Sequence, residues 1–134
     1  MGPLKDIKVI EFSGIGPGPY CGMLLADMGA EVIRVSKKGT EGLENKFDIH
    51  NRSKRSITAD LKNASTVTEI LKLIDQVDVV IEGFRPCVME KLGLGPDICI
   101  ERNPKLVYGR MTGWGQDGPM SNLAGHDINY IGLS

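Results

Sequence analysis

The stretch IKVIEFSGIGPGPYCGMLLADMGAEVIRVS, residues 7–36, decides the fold class of this chain. Its β-branched opening run (7–12) predicts a buried strand, and the glycine-rich SGIGPGP predicts the loop that leaves it. Pro19 can open a helix that Gly29 closes, and EVIRVS (31–36) predicts a second strand. Because a strand, a helix and a strand follow one another within a short stretch, we expect a parallel right-handed crossover.

The rest of the chain continues this alternation of strands and helices. A polar, aperiodic stretch (37–54) predicts a long exposed loop, and Ser65 is a candidate cap for the next helix. The fold class predicted is therefore α/β, a Rossmann-like open, mostly parallel sheet with flanking helices. Ligands of such sheets bind beyond the carboxyl ends of the strands, where three glycine-rich stretches fall. Strands are predicted over 56–61, 77–84 and 105–111, and helices over 65–76, in two short pieces between 85 and 104, and from 127 onward.

Length and composition indicate one ordinary globular domain. The chain has 134 residues, 41% of them hydrophobic and 25% charged, with a formal net charge of -1. This balance disfavours nucleic-acid and membrane-surface partners, and with no leader or spanning segment we expect a cytoplasmic protein. The three cysteines are predicted to be buried thiols in a reducing compartment, and no spacing indicates a metal site. They are Cys21, Cys87 and Cys99.

The loop after the first strand looks like a dinucleotide-binding fingerprint but fails the pattern. Pro19 stands where the third glycine of G-x-G-x-x-G is required. The second strand ends in Arg34, Lys37 and Lys38 instead of an acid that could bind a ribose 2′-hydroxyl, so a nicotinamide cofactor is disfavoured. These basic residues are either a solvated loop or contacts for a ribose phosphate, as in NADP or coenzyme A.

Two further stretches carry candidate binding or catalytic groups. In EGFRP (82–86), Arg85 could bind an anion while Pro86 starts a helix, or the stretch is only a helix entry with a surface arginine. His126 precedes a short apolar helix whose first N–H groups could stabilise an oxyanion, while its imidazole could take a proton next to a carbonyl. The alternative is that His126 or Asp127 simply caps that helix.

Six ordered motifs cover essentially the whole chain: GIGPGP, LADMGAEVIRV, RSKRSITADLK, VVIEGFRPCVMEKLGLGP, NPKLVYGRMTGWGQDGP and AGHDINY. In this order they resemble the N-terminal part of the α-methylacyl-CoA racemases, within the family III CoA-transferase group. The last motif (124–130) favours the racemases, because the transferases of the group generally lack this histidine.

The resemblance implies a reaction and the residues that perform it. His126 would remove or return the α-proton of a 2-methylacyl-CoA thioester, and the backbone N–H of Asp127 would donate to the thioester oxygen as the enolate forms. Lys37, where the family more often has arginine, would lie at the coenzyme A end. The other implied contacts are Thr58, Ala59, Asp60 and Leu61 at the adenine site and Gly125, Ile128, Asn129 and Tyr130 at the thioester site.

The resemblance also implies that part of the enzyme lies outside these residues. Residues 1–134 would form the coenzyme A-binding part of the large domain, without the family's small domain. The acid serving the opposite face of the α-carbon, and the glutamate that orients the histidine, would lie beyond Ser134, so we expect little or no racemase activity from this chain alone. The full-length family implies a homodimer, an acyl-CoA substrate and no cofactor beyond its coenzyme A moiety. The alternatives are CoA transfer between carboxylic acids and coenzyme A binding without turnover.

Overall fold

The computed structural model describes residues 2–37 and 47–134, which contain a five-stranded, all-parallel sheet in the order β3-β2-β1-β4-β5. Helices flank this sheet, so the predicted α/β class is confirmed. The strands are β1 (Lys8–Phe12), β2 (Glu31–Lys37), β3 (Lys54–Ala59), β4 (Val79–Glu82) and β5 (Val107–Arg110). The helices are α1 (Pro17–Asp27), α2 (Ala64–Ile74), α3 (Val88–Lys91), α4 (Pro96–Arg102) and α5 (Asp127–Ile131).

Strand β1 lies at the centre of the sheet, with buried apolar side chains on both faces. Val9 and Ile10 are both 0% exposed and point to opposite faces, since successive residues of a strand alternate. Val9 packs in a small cluster with Ala26 of α1. Ile10 belongs to the larger cluster on the other face, to which α2, α3 and α4 contribute. Helix α1 therefore packs on one face of the sheet, and α2, α3 and α4 pack on the other.

The strand order creates a gap at the carboxyl edge of the sheet. From β1 the chain adds β2 and then β3 on one side, and it then returns to add β4 and β5 on the other. The order therefore reverses between β1 and β4, and loops that leave these two strands diverge toward opposite faces. This is the position at which open α/β sheets bind ligands.

Several element boundaries differ from those that the sequence predicts. Helix α1 begins at Pro17, two residues before the predicted Pro19, because a proline is equally suited to the first turn at either position. The cap of α2 is Asn63, whose Oδ1 accepts from the N–H of Ser65 at 2.9 Å, so the prediction of Ser65 as the cap is wrong. Part of the predicted loop at 37–54 lies outside the described residues, and the rest contains a 3₁₀ turn (Ile49–Asn51) before β3 begins at Lys54.

The cysteines are only partly buried, contrary to the prediction. Cys99 is 0% exposed, and burial raises the pKa of its thiol to about 11. Cys21 is half-buried and Cys87 is exposed. Cys87 has φ 64° and precedes α3, so that helix begins at Val88 and Pro86 lies in the turn before it. The left-handed backbone of Cys87 follows Gly83–Pro86 and leaves the Cys87 side chain exposed. The apolar residues beside Cys87 in the sequence do not indicate this exposure.

Within residues 2–37 and 47–134, no helix is both long and apolar enough to cross a bilayer. In the same part of the chain, His, Cys, Asp and Glu side chains form no cluster of three or more that could bind a metal ion.

Candidate active site

A cleft of about 860 Å³ opens at the carboxyl edge of the sheet, beside the point where the strand order reverses. Three loops line it, each leaving the end of one strand, together with the segment that leads into α5. This arrangement follows from the all-parallel topology, because the carboxyl ends of all five strands meet at one edge. The lining segments are 14–19 after β1, 83–86 after β4, 111–113 after β5, and 123–127 with Tyr130.

The loop after β1 approaches the cleft closely because glycines open its surface. Gly16 has φ 72° at the start of α1, a conformation that favours glycine. A Cβ added at Gly14, Gly16 or Gly18 would meet no atom within 4 Å. The space beside these three glycines is open, so a ligand can lie directly against the backbone.

A buried ion pair supports this loop from below. The Nζ of Lys54 contacts Glu11 Oε2 at 2.5 Å and donates to the carbonyl of Pro19 at 2.9 Å, while both charged side chains are 1% exposed. Burial raises the pKa of Glu11 above its ordinary value of 4.5, and Lys54 only partly offsets this. Among the described residues, none donates to Glu11 Oε1. The pair joins β1, β3 and the start of α1.

His126 lies in the wall of the cleft, directly before α5. Its backbone is extended, with φ -131°, and its N–H donates to Oδ1 of Asn129 at 2.9 Å. This bond fixes the junction between the histidine and the helix, and Asp127 also lines the cleft. The helix has only five residues, so its dipole is small, and oxyanion stabilisation would depend on the Asp127 N–H itself.

Tyr130 packs the His126 segment against the loop after β5. Its ring centroid lies 5.1 Å from that of Trp114, whose Nε1 donates to the carbonyl of Ala124 at 3.3 Å. A Cβ added at Gly113 or Gly125 would fall 2.2 or 2.4 Å from the Tyr130 hydroxyl oxygen. Neither glycine can be enlarged while the phenol stays in place. Tyr130 therefore packs against this loop and also lies in the cleft wall.

The structure brings five of the residues that the sequence singled out together in the cleft. Those in the cleft are Arg85, Gly125, His126, Asp127 and Tyr130. Two more, Ile128 and Asn129, belong to α5 without lining the cleft, and the side chain of Ile128 is 79% exposed.

The proposed adenine contacts lie at the same sheet edge but on the β2 and β3 side. Exposed Lys37 ends β2 in register with Ala59, which ends β3 after Thr58. Asp60 follows, and its Oδ1 accepts from the N–H of Lys62 at 3.0 Å. Leu61 packs against the larger core cluster, so its side chain has a structural role as well. Lys38, named with Lys37 from the sequence, lies outside the described residues.

Comparison with known proteins decides the family. Residues 4–134 match CoA-transferase family III. The chain belongs to this family. It is 50% identical over 131 residues to the alpha-methylacyl-CoA racemase of Mus musculus and 47% identical over 133 residues to that of Homo sapiens, each alignment covering 98% of the chain. It is also 41% identical to a probable fatty acyl-CoA transferase of Mycobacterium tuberculosis, over 94% of the chain. The chain spans about one-third of the length of these relatives, 33%, 34% and 35%.

Solved structures of the family share this architecture. A CaiB/BaiF family protein from Brucella suis superposes with a TM-score of 0.88 at 33% identity, over 98% of this chain and 39% of that one. The Mycobacterium tuberculosis protein Rv3272 superposes with a TM-score of 0.87 at 41% identity, over 96% of this chain and 38% of that one. The resemblance stated from the sequence is thereby confirmed at the level of the family and the fold.

Sequence reasoning missed the residues that support the site from beneath. It did not assign the buried pair of Glu11 and Lys54, although a glutamate within the apolar strand KVIEF and a glycine in the middle of α1 were signals of it. It also missed that Glu82, at the end of VVIE, is buried. In both cases the partner is distant in sequence, 43 residues for Lys54 and 28 for Arg110, so no local spacing connects the two groups.

Proposed function

We propose that this chain is the coenzyme A-binding part of a 2-methylacyl-CoA racemase, which interconverts (R)- and (S)-2-methylacyl-CoA thioesters through an enolate. The observation that carries the proposal is the position of His126 in the wall of the cleft between the loops after β1, β4 and β5. The high identity to two proteins named alpha-methylacyl-CoA racemase supports the choice of reaction. The proposal requires no cofactor beyond the coenzyme A moiety of the substrate.

The proposed chemistry begins with proton transfer to an imidazole. His126 takes the α-proton of the thioester, and the electron pair of the C–H bond moves toward the carbonyl oxygen to give an enolate. The N–H of Asp127 is the proposed donor to that oxygen, and such a donor stabilises the charge only as it develops. Return of a proton to the opposite face inverts the α-carbon. This step needs a second acid, which the family resemblance places outside the present residues.

Solvent exchange tests the role of His126. With a complementing C-terminal segment from a relative, deuterium from the solvent should enter the α-position of 2-methylacyl-CoA. His126→Ala should reduce this exchange by about 10²- to 10⁴-fold, the usual loss for a positioned acid or base. The matched control is His50→Ala, because His50 is the other of the chain's two histidines and lies in the 3₁₀ turn, outside the cleft. Unchanged exchange in His126→Ala would remove His126 from the mechanism.

Transfer of CoA between carboxylic acids is the second candidate function. Other relatives are named for that reaction, including a succinyl-CoA–D-citramalate CoA-transferase of Chloroflexus aurantiacus at 38% identity. A transferase would require an acceptor acid and would form an acyl-enzyme intermediate on a carboxylate. Acceptor-dependent turnover without α-proton exchange would therefore favour this candidate over the racemase.

A further inference from the structure

Glu82 is a buried carboxylate with two hydrogen-bonded oxygens, directly beneath one wall of the cleft. It is the last residue of β4 and only 1% exposed. Its Oε2 accepts from the backbone N–H of Phe84 at 2.7 Å, and its Oε1 accepts from Nε of Arg110 at 3.1 Å. A buried charge is tolerated when it is paired and hydrogen-bonded in this way. The carboxylate therefore fixes the backbone two residues ahead of it.

Arg110 connects this carboxylate to two further elements. It is the last residue of β5, and its second guanidinium nitrogen bonds Oε1 of Glu90 on α3. That hydrogen bond lowers the pKa of Glu90 below its usual range. One arginine thus holds a buried and an exposed carboxylate at once, since the two side chains are 1% and 40% exposed. The ends of β4 and β5 are joined to α3 by this network.

The network lies under two of the loops that line the cleft. The N–H of Met111, the first residue of the β5 loop, donates to the backbone carbonyl of Glu82 at 2.8 Å. Gly83, Phe84 and Arg85 follow Glu82 and line the cleft. The side chain of Arg85 makes no hydrogen bond to any residue in the described parts of the chain, so its direction depends on how the Phe84 backbone is held.

We propose that Glu82 is a positioning residue for Arg85, holding the β4 loop so that the guanidinium faces an anionic group of a ligand in the cleft. This inference rests on the proposed function, which supplies coenzyme A as the anionic ligand. Arg110 acts through Glu82, and Glu90 contributes only at the exposed end of the network. The role of Glu82 is to orient, because its carboxylate is occupied by Phe84 and Arg110 and does not itself line the cleft.

Hydrogen exchange tests the first step without any ligand. Glu82→Gln keeps one carbonyl oxygen, but its NH₂ group cannot accept, so the side chain can no longer accept from Phe84 and Arg110 at once, and it loses the charge that pairs with Arg110. The amides of Phe84 and Arg85 should then exchange at least about tenfold faster, while those of β1 and β2 keep their rates. Glu90→Gln is the matched control and should leave the Phe84 rate unchanged. A uniform acceleration over the sheet would show loss of global stability and overturn the proposal.

Calorimetry with coenzyme A tests the second step by a double-mutant cycle. If Glu82 acts through Arg85, then Glu82→Gln should weaken binding roughly 3- to 30-fold in the wild-type background and not at all in Arg85→Gln. Effects that multiply would show that Glu82 acts independently of Arg85 and would overturn the proposal. Absence of coenzyme A binding by the wild-type chain would instead contradict the proposed function, and the exchange pattern at Phe84 would still decide whether Glu82 holds the loop.

A second variant, Arg110→Lys, keeps the test decisive if Glu82→Gln does not fold. Arg110→Lys retains the positive charge but cannot bond Glu82 and Glu90 together, so it should accelerate Phe84 exchange in the same direction and by a smaller factor. If neither variant folds, the network is an element of fold stability and the positioning role is wrong.

Discussion

At the scale of single residues, the site depends on charges that are buried below it. Lys54 and Glu11 lie between the sheet and α1, where water cannot screen them. Removing one member of such a pair leaves an uncompensated charge and is much costlier than replacing both by apolar groups. The pair therefore specifies how α1 lies on the sheet, and through the carbonyl of Pro19 it holds the end of the glycine loop, in the first turn of α1.

Lys54→Met should destabilise the fold by about 3 to 5 kcal/mol at neutral pH, measured by urea unfolding. The loss should shrink in acid. In the fold, burial raises the pKa of Glu11 above the ordinary 4.5, and Lys54 is the main group that counters this rise. At a pH below 4.5 Glu11 is mostly protonated in both the folded and the unfolded chain, so the loss of Lys54 costs little there. The cost grows as the pH rises above 4.5, because the folded variant must then either keep the proton or bury an unpaired charge. Replacing both residues, with Glu11→Leu and Lys54→Met, should recover most of the stability. A loss in Lys54→Met that does not depend on pH would contradict this account.

Gly22 makes room for the same carboxylate. A Cβ added there would fall 1.8 Å from Glu11 Oε2, which cannot move away because Lys54 holds it. Gly22→Ala should therefore lower the free energy of unfolding by about 1 to 3 kcal/mol, although alanine favours a helix over glycine. Gly18→Ala in the same helix is the control, since its Cβ would meet no atom within 4 Å, and it should stay within about 0.5 kcal/mol of the wild type. Equal effects would show that the contact at Glu11 is not decisive.

At the scale of elements, the strands and helices follow from sequence pattern and their ends do not. The run VDVVIEGF predicts a strand because its apolar residues are nearly continuous, and β4 occupies Val79–Glu82 within it. The sequence predicts the cap of α2 at Ser65, two residues after the observed Asn63, because serine and asparagine are both good caps and the pattern alone cannot rank one against the other. The left-handed turn at Cys87 has no local signal at all, since that conformation usually takes glycine or asparagine.

Helix α2 offers a direct test of its cap. Asn63→Ala removes the oxygen that accepts from the Ser65 N–H and should cost about 1 kcal/mol of stability, measured by thermal or urea unfolding. Ser65→Ala leaves that acceptor in place and should cost a few tenths of a kcal/mol at most. A larger loss in Ser65→Ala than in Asn63→Ala would restore the sequence assignment of the cap.

At the scale of the whole molecule, one sheet edge collects residues that are far apart in sequence. The parallel topology predicts this edge, and with it the convergence of the glycine-rich loops and His126. The sequence does not predict which candidates lie together. Arg85 and His126 share the cleft, whereas Lys37 and Asp60 belong to the β2 and β3 side. That division depends on the strand order, which no local pattern encodes.

If the ligand spans both parts of the edge, then the β2 and β3 side should recognise the end of the coenzyme that carries the ribose phosphate. We expect dephospho-coenzyme A to bind more weakly than coenzyme A, because the lost phosphate removes a charge-assisted contact worth about 1.5 to 3 kcal/mol, or roughly 10- to 150-fold in affinity. Calorimetry with both ligands measures this difference. Lys37→Ala should reduce it, and Lys62→Ala, which changes a nearby lysine outside the proposed contacts, is the control. Equal affinities would contradict a phosphate contact at Lys37.

The close contact of Tyr130 with Gly113 and Gly125 limits how relatives of this chain can diverge in sequence. The Tyr130 hydroxyl oxygen occupies the space that a methyl group at Gly113 would need, and at Gly125 the Tyr130 ring carbon Cζ and Trp114 Nε1, each 2.9 Å from the added Cβ, crowd it as well. A descendant that acquires alanine at Gly113 must also lose the hydroxyl, for example by a change to phenylalanine, whereas alanine at Gly125 requires the histidine segment to shift because Cζ of Tyr130 and Nε1 of Trp114 would still be too close. These three positions are therefore constrained to change together over evolutionary time, although they are separated by as many as 17 residues in the chain.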